Sequence, residues 1–268
     1  MQHISGTGFI GGGNMAQALI CGLLDSGVPP ETLMVAELMP ERRQFLAQTY
    51  GVITTGNSAE VVAAYPVIIL AVKPQALETA LLPVADLFDA DKCLISILAG
   101  VSTAKIEAIT GDNTRVLRVM PNTPALIGAA ATGLCGGRHA TADDLEMAQQ
   151  LFACVGIVEV VKEALLDAVT GLSGSGPAYV YLMIEALTDG GVLEGLPHDT
   201  ALRLAAQTVV GAAQMVLDGN EHPAVLRDRV CSPAGTTIAA LQTLEQGGVR
   251  AALINAVQRS ATRSRELG

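Results

Sequence analysis

Tryptophan is absent from the 268 residues, and Phe and Tyr together supply only 3% of them. A core without large rings has to be assembled from Ala, Val, Leu and Ile, and at this length it is large enough for two domains. Cations are scarce too: 16 Lys and Arg stand against 26 Asp and Glu, a net charge of −10. Neutralising a nucleic-acid backbone needs clustered Lys and Arg, so nucleic acid is not an expected partner. An ordinary acidic surface is sufficient to explain the charge. The five cysteines (Cys21, Cys93, Cys135, Cys154, Cys231) and four histidines (His3, His139, His198, His222) fall into no metal-ligand or redox spacing. No metal site is expected, and the odd thiol count fits a reducing compartment. No basic segment followed by an apolar run opens the sequence. The apolar stretch 61–72 is broken by Tyr65-Pro66 and is too short to cross a bilayer. These absences predict a cytoplasmic protein with no membrane partner.

What is present is most informative at Phe9-Ile10-Gly11-Gly12-Gly13-Asn14-Met15-Ala16. It contains Gly11-x-Gly13-x-x-Ala16, the glycine turn that seats a dinucleotide pyrophosphate. One glycine lets a strand turn into a helix, a second lets backbone approach the phosphates, and a small third residue lets the helix lie on the sheet. The helix N-terminus then offers N–H groups and the positive end of its dipole. Such turns also occur in ordinary loops. Here an apolar segment precedes it and an amphipathic helix follows, although Ser5-Gly6-Thr7-Gly8 makes a poor strand.

The first 160 residues alternate strand and helix patterns. Leu33–Ala36 reads as a strand, Pro40–Tyr50 as a helix stopped by Gly51, and 67–72 as a strand apolar on both faces. Segments 94–98, 116–120 and 157–161 are further strands, and Thr141 caps a helix with acids in its first turn. The pattern predicts an α/β, Rossmann-like, doubly wound parallel sheet over residues 1–162. Residues 163–268 show no strand alternation and no lysine. They read as an all-helical domain with helices at 163–190, 200–217, 223–230, 236–247 and 249–266. The first of these should kink at Gly171 to Pro177. Several of these helices are apolar on most faces, which predicts packing against another subunit.

A dinucleotide-binding half joined to a helical half suggests a nicotinamide-dependent oxidoreductase. No tyrosine has a lysine four residues on, which removes the proton-transfer pair of short-chain dehydrogenases. A β-hydroxyacid dehydrogenase needs a lysine from its helical domain, and this one has none. Both absences point to a reaction needing no strong acid or base from the enzyme. Reduction of an imine fits, because C=N is basic enough to take its proton largely from solvent while the protein aligns the partners. Ser232-Pro233-Ala234-Gly235-Thr236-Thr237 reads either as a plain helix cap or as a cradle whose N–H groups and hydroxyls hold a carboxylate.

Five motifs together resemble pyrroline-5-carboxylate reductase. They are Gly11-Gly12-Gly13-Asn14-Met15-Ala16, Ala71-Val72-Lys73-Pro74-Gln75, Val119-Met120-Pro121-Asn122-Thr123-Pro124, Thr170-Gly171-Leu172-Ser173-Gly174-Ser175-Gly176-Pro177-Ala178-Tyr179 and Ser232 to Thr237. The resemblance implies reduction of 1-pyrroline-5-carboxylate to L-proline with NADPH or NADH, the last step of proline biosynthesis. It further implies a homodimer through the helical domain, in a family whose dimers often form rings of five. By resemblance, Ile10, Gly11, Gly12, Gly13, Asn14 and Met15 meet the pyrophosphate. Asn57 meets the adenosine side, and Ala71, Val72, Lys73 and Pro74 the nicotinamide half. Glu163, Ser232, Gly235, Thr236 and Thr237 surround the cyclic imino acid, with Thr237 as the catalytic hydroxyl. Lys73 also reads as an exposed residue at a strand end. Two departures stand out. Ala234 occupies a position where the family usually has glycine. Glu37 ends the second strand, where a carboxylate bonds the ribose 2′-hydroxyl and repels a 2′-phosphate, whereas the family commonly favours NADPH. Arg42 and Arg43 follow and read as surface charge. Another NAD(P)-dependent imine or β-hydroxyacid oxidoreductase, and a dinucleotide sensor without catalysis, remain as alternatives.

Overall fold

Side chains alternate across a strand, so a strand buried on both faces feeds two cores. Phe9, Ile69, Ile95, Leu117 and Val119 enter one apolar cluster, and Ile10, Ile68, Leu70, Leu94 and Val116 enter another. The computed structural model describes residues 6–111, 113–219 and 221–267; His3 and Ser5 lie outside them. Two compact units are present, the first built from residues up to Ser175 together with those from Gln258 on, the second from Gly176–Val257.

The first unit holds an eight-stranded sheet ordered β3-β2-β1-β4-β5-β6-β7-β8. Its elements are β1 (Thr7–Ile10), α1 (Asn14–Asp25), β2 (Leu33–Ala36), α2 (Pro40–Tyr50), β3 (Ile53–Thr55), α3 (Ser58–Ala64), β4 (Val67–Leu70), α4 (Leu77–Leu81), β5 (Cys93–Ser96), α5 (Thr103–Thr110), β6 (Arg115–Met120), β7 (Ala130–Gly136), α6 (Ala142–Ala153), β8 (Gly156–Val160) and α7 (Leu166–Val169). Pairing is parallel from β3 to β6, as expected of a Rossmann-like sheet. It then reverses: β7 runs antiparallel to β6, and β8 parallel to β7. The expected doubly wound parallel sheet is present, with one antiparallel pair, β6–β7, within it. β7 escapes sequence reading because Gly133 and Gly136 interrupt its pattern. Gly133 is required, since a Cβ would sit 2.8 Å from Val169 Cγ1, so its absence lets α7 lie on the strand. Gly8, which weakens β1 as a strand, has the same reason. A Cβ there would meet Val61 Cγ1 of α3 at 2.3 Å.

Strand order changes direction between β1 and β4, the place where open α/β sheets leave a crevice for ligands. Helix α6 has the expected Thr141 cap, here reciprocal: the Thr141 side chain accepts from the Asp144 N–H while Asp144 accepts from Thr141 N–H.

Beyond α7 the chain makes a π-turn at Thr170–Gly174, closed by Ser175 N–H donating to Thr170 O at 2.8 Å. The expected kink at Gly171 to Pro177 is this turn, after which α8 (Gly176–Leu193) begins. Asn122 reads it from the sheet side: Nδ2 donates to Ser173 O, and Oδ1 accepts from Ala131 N–H, both at 3.0 Å. The second unit comprises α8, α9 (His198–Asp218), α10 (Pro223–Arg229), α11 (Thr236–Gln246) and the first part of α12 (Val249–Leu267). The end of α12 belongs to the first unit, where Ser264 Oγ donates to Asp167 Oδ1 at 2.6 Å.

Buried Arg118 organises this region. Its guanidinium lies 3.6 Å from both Glu163 Oε1 and Asp167 Oδ1. Removing one partner of a buried pair leaves uncompensated charge, whose usual cost of 3–5 kcal/mol falls here because both carboxylates keep some exposure. Arg118→Ala is therefore expected to destabilise the chain by on the order of 2–4 kcal/mol in denaturant unfolding. A loss near zero would show that the cluster contributes nothing.

The second unit is thinly buried. Among its described residues only Thr188, Ala201 and Ala205 are buried, while Leu182, Leu193 and Leu217 are 66%, 87% and 67% exposed. An apolar surface of this kind marks an interface. The intact chain is expected to sediment as a dimer or larger at micromolar concentration; a monomer there would contradict the reading of this surface.

Candidate active site

Gly11 turns the chain out of β1 with φ +100°, a region that favours glycine. A Cβ at this position would lie 2.7 Å from Ala71 O, so the turn also depends on close approach to the segment after β4. Gly11 N–H donates to Ala36 O, and Ala71 N–H donates to Ile10 O, both at 2.8 Å, extending the β2–β1–β4 ladder to the lip of the crevice. Gly13 caps α1 with no side chain bonded to the helix start. A Cβ on Gly13 would meet nothing within 4 Å, so open space lies over the N-terminus of α1. Ala16 is fully buried beneath it. The glycines thus have separate duties: Gly11 for fold, Gly13 for room.

A cleft of about 400 Å³ opens here. It is lined by Ile10 and Gly11, by Glu37 and Leu38 after β2, by Asn57 and Ser58 at the start of α3, by Val72, and by Thr79, Pro83 and Val84 on the far wall. The structure therefore brings together Ile10, Gly11, Glu37, Asn57 and Val72 from the residues singled out in sequence. Gly12, Gly13, Asn14, Met15 and Ala71 adjoin these along the chain. Asn57 is fixed as the cap of α3, its Oδ1 accepting from Ala59 N–H at 3.0 Å. Lys73 and Pro74 are exposed and are not part of the lining.

Glu37 is held firmly. Oε2 accepts from Gly12 N–H at 2.9 Å, and Oε1 accepts from Met39 N–H at 3.0 Å. Arg42 and Arg43, read from sequence as surface charge, are structural instead. Arg42 Nε donates to Gly12 O at 2.6 Å, and its Nη2 to Gln17 Oε1 at 2.8 Å. Gln17 in turn donates to Tyr50 Oη at 2.8 Å. Arg43 Nη1 donates to Glu37 O and Leu38 O at 2.7 and 2.9 Å. No sequence signal marks these partners, because Gly12 and Arg42 are thirty residues apart.

The second group of singled-out residues sits in the other unit, apart from Glu163. Glu163 belongs to the first unit, where its carboxylate accepts from Thr103 N–H and Thr103 Oγ1, each at 2.7 Å, and neighbours Arg118. Its carboxylate is thus committed to the start of α5. In the second unit, Gly235 caps α11 with no side chain bonded to the helix start. Gly235 N–H donates to Ser232 O at 3.0 Å, closing a turn. A Cβ on Gly235 would fall 2.2 Å from Ser232 Oγ and 3.1 Å from Ser232 O, so a side chain there would displace the Ser232 hydroxyl. Ala234 has φ +53°, the single non-glycine residue with positive φ among those described. That explains why glycine suits this position, and the added methyl costs about 1–2 kcal/mol of local strain. Thr236 and Thr237 form the first turn of α11, Thr237 half-buried and Thr236 exposed.

Other chemistry is weakly supplied. Burial pushes the Cys93 thiol up to about 12, and those of Cys135 and Cys154 to about 11, which removes them as thiolate nucleophiles. Among the described residues no three His, Cys, Asp or Glu side chains are grouped to hold a metal.

A parallel sheet with a glycine turn, an open helix N-terminus at the β1/β4 crevice and an acid at the end of β2 defines a dinucleotide-binding oxidoreductase fold. Two family models match. One, for NADP oxidoreductase coenzyme F420-dependent proteins, covers residues 7–100, and the other, for pyrroline-5-carboxylate reductase dimerisation, covers 163–267. The pyrroline-5-carboxylate reductase of Methanosarcina acetivorans is 45% identical over 97% of this chain and 97% of its own. The solved pyrroline-5-carboxylate reductase of Coxiella burnetii superposes with a TM-score of 0.93 at 36% identity, covering 98% of both chains. The Plasmodium falciparum enzyme, solved with NADP bound, gives 0.89 at 30% identity over 99% of this chain and 98% of its own. This chain belongs to the pyrroline-5-carboxylate reductase family.

The different duties of the glycines make a prediction. Gly13→Val is expected to melt like the wild type, because its Cβ meets no protein atom, yet to raise the dinucleotide Kd tenfold or more by filling phosphate space. A folded variant with unchanged Kd, measured by fluorescence titration, would move the phosphate site elsewhere.

Proposed function

We infer that this chain reduces 1-pyrroline-5-carboxylate to L-proline, the last step of proline biosynthesis, with NADPH or NADH as reductant. The observation that carries the inference is family membership over nearly the whole chain, across both the glycine turn and the Ser232 to Thr237 turn. The residues present fit a dinucleotide: the space over α1 that a Cβ on Gly13 would enter, and the polar Glu37, Asn57 and Ser58 along the cleft, are what such a ligand needs. When bound, the dinucleotide supplies a hydride to the C=N carbon.

The chain's own residues bind and align. N–H groups at Gly13, Asn14 and Met15 receive the pyrophosphate. Gly12 shapes their turn, Glu37 and Asn57 hold the adenosine side, and Ala71, Val72, Lys73 and Pro74 flank the nicotinamide half. The substrate's carboxylate goes to the start of α11, where Gly235, Thr236 and Thr237 offer N–H groups and Ser232 a hydroxyl, with no basic side chain required. Glu163 acts at one remove, by holding Thr103 and Arg118. Thr237 places its hydroxyl against the ring nitrogen, donating or accepting as that nitrogen passes from iminium to amine. The proton itself comes largely from solvent, since a hydroxyl is too weak an acid to supply it alone.

Functionally, residues 1–162 serve the dinucleotide and 163–268 serve substrate and dimer. The homodimer is the working unit, and a ring of five dimers is the expected assembly. α9 is long and apolar enough to cross a membrane by length and composition. Its place inside the dimerisation match supports burial against a second copy instead, and with it a cytoplasmic protein. The acidic composition supports the absence of a nucleic-acid partner.

Mixing the protein with pyrroline-5-carboxylate and each reduced dinucleotide should consume the nicotinamide absorbance with at least one of them. Consumption with neither would overturn the reading and leave a non-catalytic sensor. One aligned hydrogen bond is worth on the order of 1–3 kcal/mol. Thr237→Ala is accordingly expected to lower kcat by roughly tenfold to a hundredfold, with dinucleotide binding and assembly intact. Thr237→Ser should retain much more activity. An alanine variant that turns over like the wild type would reduce Thr237 to a helix-start residue.

A further inference from the structure

The sequence leaves the choice between NADH and NADPH open, since Glu37 and two arginines compete at the same edge of the cleft. We propose that this cleft selects NADH, with Glu37 as the selecting group and Arg42 and Arg43 as positioning residues that hold it and the glycine turn, not as phosphate ligands. The turnover part of this proposal rests on the reductase reading above; the binding part stands without it.

The argument starts from where each charge is spent. A carboxylate has about four acceptor sites on two oxygens. Gly12 N–H and Met39 N–H use one on each oxygen of Glu37 and fix its plane. One acceptor per oxygen is left for a ribose hydroxyl. A 2′-phosphate in that place would set a second anion against the first.

A site for NADPH offsets such charge with cations. Among the described residues lining the cleft there is no Lys or Arg. The two arginines of α2 are each held by acceptors of the chain itself. Arg42 is committed to Gly12 O and Gln17, with its guanidinium 4.9 Å from the centre of the Phe45 ring. Arg43 is anchored through Nη1, which donates to the carbonyls of Glu37 and Leu38. A Cβ on Gly56 would come to 3.4 Å from Arg43 Nη1, an ordinary contact, which places that guanidinium beside Gly56. Turning Arg42 toward a phosphate would release Gly12 O, and with it one of the two bonds that shape the turn. Gly12 is thus held at its N–H by an acid and at its C=O by a base. The selecting residue and the phosphate turn form one braced unit.

The test uses full-length protein and two probes that carry no nicotinamide, ADP-ribose and 2′-phospho-ADP-ribose, with Kd measured by calorimetry. Wild type is expected to bind ADP-ribose at least tenfold more tightly. Glu37→Gln keeps an oxygen for Gly12 N–H while losing the charge, and should narrow that ratio tenfold or more. Arg43→Ala should weaken both probes together and leave the ratio unchanged. Equal or tighter binding of the phosphorylated probe by wild type overturns the proposal. So does an Arg43→Ala variant that weakens the phosphorylated probe alone, because that would make Arg43 its ligand. In turnover, kcat/KM for NADH should exceed that for NADPH in the same sense. If neither dinucleotide supports reduction while the binding ratio holds, the reductase reading fails and the selectivity stands.

Discussion

Two hydrogen bonds to Gly12 set the dinucleotide cleft. Glu37, at the end of β2, accepts from the Gly12 N–H, and Arg42, in the first turn of α2, donates to the Gly12 carbonyl. Between them they fix the peptides on either side of a residue that has no side chain to fix itself. Gly11 can then turn against Ala71, and Gly13 can leave its space open over α1. Arg42 also reaches Gln17, which reaches Tyr50, so the same network ties α1 to α2. Because the brace is charged at both ends, a neutral Gln in place of Glu37 would keep the bond to Gly12 N–H but not the charge. On the proposed reading, selectivity at the ribose and the shape of the phosphate turn are consequences of one arrangement.

The second unit obeys a different constraint. Its helices carry apolar residues on more faces than one chain can cover, and only three small or polar side chains are buried among the described residues. Folding of such a unit is inseparable from association, since exposed Leu and Val surface is unfavourable in water. The match of the dimerisation family to residues 163–267 identifies what covers it. The turn proposed for the substrate, at the start of α11, lies in this same unit, so on that proposal substrate binding and assembly share a scaffold.

Much of this was legible in the sequence, for local reasons. α2 reads correctly to the residue because Pro40 can start a helix and Gly51, at φ +72°, can end one. β4 reads correctly because it is apolar on both faces. β7 does not, since Gly133 serves packing against α7 and Gly136 close approach to Ala140, rather than the strand itself. The antiparallel turn of the sheet is invisible for the same reason. At the site, the glycine turn and the Ser232 to Thr237 turn are short contiguous signals, and both are found in the predicted local form. The role of Arg43 is not legible, because its partners are backbone carbonyls, which carry no residue signature, and those of Arg42 and Thr103 are not because each depends on a partner many residues away. The engagement of Glu163 with Thr103 and Arg118 is of that kind too. Ala234 is a middle case: its departure from glycine is visible in sequence, but only its φ of +53° says why glycine belongs there.

The central claim is that two helix starts, α1 for the dinucleotide pyrophosphate and α11 for the substrate carboxylate, together make the reductase. The most direct measurement is a crystal structure of the protein with an oxidised nicotinamide dinucleotide and L-proline bound. The account predicts the pyrophosphate on the N–H groups of Gly13 to Met15, the proline carboxylate on those of Gly235 to Thr237, and the proline nitrogen within hydrogen-bond reach of Thr237 Oγ1. Proline seated away from α11, or a dinucleotide outside the β1/β4 crevice, would contradict it.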